Sequence, residues 1–152
     1  YGIPKYMLPE KMSGIFKHHV LLPKEPLLRG FDDIFCAPHS RHTEVRAADI
    51  RKDERLTILA ESHEAGVPIG EAMNGRQNFV LGHGEYDADT LKREYERDLA
   101  KGMNPEVPRH YFRNDDPNED VLVTWKAHAN LFYTNWVNYY VYQTTPYNLD
   151  KM

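Results

Sequence analysis

Asn78-Phe79-Val80-Leu81-Gly82-His83-Gly84-Glu85-Tyr86-Asp87 joins a strand-like apolar run to the start of a helix, and its reading sets the fold class. Open α/β sheets place their chemistry where a buried strand ends in glycine and a helix begins. If the chain stays extended past Leu81, alternate side chains project to the same side, so the His83 imidazole and the Glu85 carboxylate point together. A carboxylate on one ring nitrogen fixes the tautomer and stabilises the imidazolium formed when the other nitrogen takes a proton. That is the logic of Cys/Ser–His–acid triads. Alone the spacing is weak evidence, because a His with a nearby Glu more often belongs to a solvated loop.

Upstream of this stretch, Pro4, Pro9, Gly14, Pro23, Pro26, Gly30 and Pro38 punctuate short extended candidates at residues 14–22 and 34–37. Strand candidates follow at 56–61, 67–73 and 78–81. Glu64-Ala65-Gly66 and Asn74-Gly75 serve as turns between them, the second a strong hairpin signal. Downstream, residues 89–102 read as a helix with Asp87 or Asp89 as cap, Gly102 as stop, and Leu91, Tyr95 and Leu99 as apolar stripe. A polar loop at 104–120 precedes a last helix at 125–143, stopped before Pro146. Strands mixed with helices give α/β, with too few of each for a complete doubly wound sheet.

The 152 residues are 41% hydrophobic and 28% charged, which suffices for one domain with a core. The most apolar run, 131–142, is interrupted by Asn135 and Asn138 and does not fit a membrane span. Net charge is −4 with 19 scattered Lys and Arg, which speaks against nucleic-acid or anionic-membrane partners. The single cysteine, Cys36, gives no internal disulfide framework and fits a reducing, cytoplasmic compartment. No signal or transit pattern leads the chain. Because it opens at Tyr1, inside the turn-like Tyr1-Gly2-Ile3-Pro4, its natural beginning is expected upstream.

Phe35-Cys36-Ala37-Pro38-His39-Ser40-Arg41-His42 admits two chemical readings. Cys36 with His39 or His83 is a possible nucleophile–base pair, and His39, His42 and His18-His19 are possible zinc ligands. Against them, a lone cysteine in an apolar run is usually a small buried hydrophobe, and no C-x-x-C or H-E-x-x-H spacing supports a metal. Lys11 alone reads as a surface lysine. Arg97 lies nearly opposite the Leu91/Tyr95/Leu99 stripe, which argues for a solvated face unless the helix borders a cleft. The aromatic cluster Trp125, Phe132, Tyr133, Trp136, Tyr139, Tyr140 and Tyr142 reads as core and interface rather than a base-stacking platform, since its helical spacing fits packing and, beyond Lys126, no Lys or Arg lies between the rings.

Six segments together closely resemble the homoserine O-acyltransferases of methionine biosynthesis, the O-succinyltransferase/O-acetyltransferase family. They are Pro9-Glu10-Lys11-Met12-Ser13-Gly14, Arg29-Gly30-Phe31-Asp32-Asp33, Ala37-Pro38-His39-Ser40-Arg41, Gly82-His83-Gly84-Glu85-Tyr86-Asp87, Tyr111-Phe112 with Asn114-Asp115-Asp116-Pro117, and Thr134-Asn135-Trp136-Val137-Asn138-Tyr139-Tyr140-Val141-Tyr142-Gln143. The resemblance implies a class I glutamine amidotransferase-like α/β fold (flavodoxin-like, three-layer αβα), of which residues 1–152 would be the C-terminal part of one catalytic domain. It implies a Cys–His–Glu triad with His83 as general base and Glu85 as its partner. Lys11, Ser40 and Arg97 match the family's substrate-binding positions. Where the family usually has Pro or Ser between His and Glu, Gly84 stands here, which loosens the backbone and keeps the spacing.

By the same resemblance the nucleophilic cysteine falls upstream of residue 1, and Cys36 does not replace it. The implied substrates are L-homoserine and acetyl-CoA or succinyl-CoA, with no metal and no cofactor beyond the acyl-CoA co-substrate, in a cytoplasmic enzyme that is a homodimer when full length. Acetyl against succinyl is left open, with a slight lean to acetyl. This chain alone is expected to be inactive. A glutamine amidotransferase-like hydrolase, or a non-catalytic fragment or interaction module, stands as the alternative.

Overall fold

The computed structural model describes residues 1–145. Five strands, β1 (Tyr6–Val20), β2 (Ile34–Glu44), β3 (Leu56–Ser62), β4 (Gly66–Ala72) and β5 (Gln77–Val80), form one sheet in the order β2-β1-β3-β4-β5. Each pairing between neighbouring strands is antiparallel. The helices are α1 (Ala47–Ile50), α2 (Thr90–Ala100), α3 (Lys126–Asn135) and α4 (Tyr142–Thr144), with 3-10 turns at Pro26–Leu28 and Arg113–Asp115. Between α3 and α4 the chain widens into a π-helical stretch, Trp136–Val141. The long final helix read from the sequence is therefore three consecutive segments. Pro146, its expected stop, lies outside the described residues.

The largest departure from expectation is β1. Pro9 and Gly14 were expected to mark turns ahead of a strand at 14–22, yet both lie inside a strand that starts at Tyr6. Proline has no N–H for a ladder, and the register with β2 breaks between Met7 and Met12 around Pro9. Gly14, at φ 148°, lets another backbone approach. Ile15 N–H donates to Arg109 O at 2.9 Å and Arg109 N–H to Ser13 O at 3.0 Å, so the loop after α2 is strapped along β1. A Cβ at residue 14 would lie 2.4 Å from the Arg109 carbonyl oxygen.

Alternation along β2 divides the core. Phe35 and Ala37 join Leu27, Leu28, Leu59, Ile69 and Phe132 in one cluster, while Cys36 packs with a second made of Ile15, Leu91, Tyr111, Phe112 and Trp125. Cys36 is thus half-buried packing material, as the plainer of its readings expected. The sheet is curled. Leaving the edge strand β5, Leu81 N–H donates to Pro68 O at 2.7 Å, and two residues later His83 N–H donates to Pro38 O of the opposite edge strand, β2, at 2.8 Å. β2 accommodates Pro38 because an edge strand leaves one side of its backbone unpaired. Among the described residues no helix is long and apolar enough to cross a membrane.

Candidate active site

The curl sets the site, because it carries the segment after β5 onto β2. Gly82 is buried where its missing side chain matters: a Cβ there would meet Ala37 Cβ at 3.1 Å and His39 Nε2 at 3.5 Å. Residues 83–86 then form a turn closed by Tyr86 N–H to His83 O at 3.2 Å. His83 Nδ1 and Glu85 Oε1 are 2.8 Å apart. The pair forms as expected, but not through strand alternation. β5 has already ended at Val80, and a turn brings the two side chains together. Gly84 also has a different reason from loosened backbone. Helix α3 passes so close that a Cβ at 84 would lie 3.0 Å from Ala129 Cβ.

The His83 and Glu85 side chains are 37% and 56% exposed, so the dyad faces outward. Glu85 binds one ring nitrogen and leaves Nε2 free of it, the arrangement a general base needs. One face of the imidazole lies on the Tyr86 ring, centroids 4.4 Å apart and planes 10° from parallel.

Beside the dyad the structure gathers the three residues expected to bind substrate. Lys11 of β1 places Nζ 3.1 Å from Glu94 Oε2 and 3.2 Å from Asp98 Oδ2, both on α2. Ser40 of β2 donates its hydroxyl to the same Glu94 oxygen at 2.5 Å. Arg97 grips Asp98 Oδ1 through Nε at 2.8 Å and Nη2 at 2.7 Å. Partial burial pushes the Glu94 carboxyl up, but the Ser40 hydroxyl and Lys11 ammonium outweigh it and hold the group below the usual carboxylate range. Asp98 is likewise held low, chiefly by its bonds to Arg97, with Lys11 adding to the effect against desolvation. Two cations and two anions thus form one balanced network, and two of its members, Lys11 and Asp98, line a cleft of about 330 Å³ together with Pro9, Tyr95 and Met103.

Sequence reading missed Glu94, Asp98 and Tyr86. The expected inward stripe of α2 was Leu91, Tyr95 and Leu99, yet Leu99 is 44% exposed while Asp98 is 5% exposed. The inward face runs Leu91, Glu94, Asp98. Their i, i+3, i+7 spacing is itself a helical stripe, obscured because two members are acidic. Arg97 is half exposed, as its place opposite the apolar stripe suggested, and still joins the network through its neighbour. The helix cap also differs: Asp89 is the N-cap residue but makes no side-chain cap bond, and it pairs with Arg93 instead. Gly102, at φ 71°, ends the helix as expected. Of the histidines weighed as metal ligands, His18 and His39 are wholly buried and face each other, Nε2 to Nε2 at 3.0 Å.

A family model described as homoserine O-succinyltransferase matches residues 1–147. A homoserine O-acetyltransferase from Bacillus cytotoxicus is 60% identical over 149 residues, covering 98% of this chain and 50% of the relative. Another from Acetivibrio thermocellus is 58% identical over 152 residues, covering 100% of this chain and again 50% of the relative. The chain thus spans about half the length of the curated relatives it matches. In fold it is similar to a glutamine amidotransferase from Thermotoga maritima, with a TM-score of 0.57 at 16% identity over 90% of this chain and 54% of that one. The expected amidotransferase-like α/β fold is therefore the one observed. With a family match extending from residue 1 to residue 147, the chain belongs to the homoserine O-succinyltransferase family.

Proposed function

We propose that this chain supplies the base and the amino-acid pocket of a homoserine O-acyltransferase acting in methionine biosynthesis. The observation that carries the reading is the charge-balanced set Lys11–Glu94–Asp98–Arg97 lying next to a hydrogen-bonded His83–Glu85 pair. An amino acid brings one ammonium and one carboxylate, and a network of two cations and two anions can exchange partners with both without leaving a charge unpaired. Arg97 suits the carboxylate, since a guanidinium fork pairs with it bidentately.

The chemistry follows in two halves. A cysteine thiolate, carried by a part of the enzyme upstream of residue 1, attacks the thioester carbonyl of acetyl-CoA or succinyl-CoA, and the CoA sulfur leaves and takes up a proton. The homoserine hydroxyl then attacks the enzyme thioester while His83 removes its proton, forming the ester and releasing the cysteine thiolate. Glu85 holds the imidazole and stabilises the cation formed. No metal or resident cofactor enters these steps, and acetyl is favoured slightly over succinyl. A cytoplasmic homodimer is the form we assign to the whole enzyme.

The test is to incubate the full-length protein with homoserine and acetyl- or succinyl-CoA, and separately with glutamine, measuring CoA release and ammonia. Acyl transfer with no glutaminase activity is the expected result. Glutamine hydrolysis without acyl transfer would move the assignment to an amidotransferase-like hydrolase.

A further inference from the structure

His83 and Glu85 stand in a turn in which residues 83, 84 and 86 are half-buried, with the two side chains 37% and 56% exposed. Their mutual hydrogen bond fixes the tautomer but not the plane of the pair, because two partly exposed side chains held by one hydrogen bond can swing together. The support is Tyr86. Its backbone carbonyl accepts the indole N–H of the buried Trp125 at 3.2 Å. Its ring packs on the cluster of Ile15, Leu91, Tyr111, Phe112 and Trp125. Burial and the nearby Glu94 carboxylate push its phenol up. The ring then lies against the imidazole, 4.4 Å away and 10° from parallel.

We propose that Tyr86 is a positioning residue: its ring, held on the cluster around Trp125, sets the plane of the His83 imidazole. This rests on the acyltransferase reading for its kinetic consequence, though not for its geometry.

Two substitutions test the ring in the full-length enzyme. Tyr86→Phe keeps it, so kcat should stay within about threefold. Tyr86→Leu removes it, and kcat should fall about tenfold or more. Equal loss of kcat in the two variants, or none in the leucine variant, would overturn the proposal. A readout independent of the reaction is the His83 Hε1 chemical shift, displaced by the Tyr86 ring current in the parent and in Tyr86→Phe and released in Tyr86→Leu. If that signal does not move, the positioning is wrong whatever the enzyme does. If it moves while no acyl transfer to homoserine is found, the positioning stands and the reaction assignment fails.

Discussion

Glu94 accepts from Ser40 and pairs with Lys11 through one and the same oxygen, Oε2. That crowding makes it the residue at which the pocket is most easily unbalanced. Glu94→Gln leaves Lys11 with Asp98 alone and the network with an excess positive charge. The expected outcome is a KM for homoserine raised about tenfold or more, with a smaller change in kcat. Arg97→Lys should also act on KM, since charge is kept and the fork lost. Glu85→Gln should do the opposite and lower kcat more than it alters KM, because the imidazolium loses its anion. His83→Ala should cost on the order of a hundredfold or more in kcat with the fold intact. Steady-state kinetics on the four variants separates binding from base. A KM-only effect at Glu85, or near-normal kcat in a folded His83→Ala protein, would break the division of labour drawn here.

At the scale of elements, the straps between backbones decide what holds. Gly14 and Gly102 both have positive φ, yet only Gly14 faces a neighbour: a Cβ would meet Arg109 O at 2.4 Å, against nothing within 4 Å at Gly102. Gly14→Ala should therefore destabilise by about 2 kcal/mol or more and Gly102→Ala by only about 1, read as shifts in urea midpoint. Equal losses would mean that φ alone matters and that the loop strapped along β1 contributes little. This strap also shows where sequence reading stops. Strands β3, β4 and β5 were legible because hairpin turns and apolar runs are local signals. The true extent of β1 was not, since Pro9 and Gly14 read as punctuation until Arg109, far along the chain, supplies the reason for a glycine there. Motif spacing alone paired His83 with Glu85, but the turn that joins them depends on Pro38 across the curled sheet. The acidic inward face of α2 was hidden for the same reason. Glu94 and Asp98 look solvent-facing unless Lys11, from a distant strand, is known to meet them.

For the molecule as a whole, the telling charges are ones it excludes. His18 and His39 are fully buried and share one contact between Nε2 atoms, which works only if one nitrogen carries a proton and the other does not. Burial pushes His18 down to about 4, and burial together with the His18 charge pushes His39 down to about 2, both from an ordinary value near 6.5. The folded state thus keeps both rings neutral where the unfolded chain would protonate them. Stability from this source is fully present above about pH 6.5 and is lost as pH falls toward the folded values, His18 to about 4 and His39 to about 2. Between pH 6.5 and 5, ordinary carboxylates stay ionised in both states, so these histidines set much of the slope, at up to about 1.4 kcal/mol per pH unit for each. Urea unfolding of the full-length protein at half-unit steps through that window should show stability falling with pH, and His39→Gln should remove about one proton's share of the slope. An unchanged slope would mean that the pair does not stay neutral in the folded state. The loss would reach the dyad directly, because His39 lies under Gly82, one residue from His83. A charge forced onto that ring lifts the loop that the curled sheet lays across β2, so acid should weaken the fold and displace His83 in the same step.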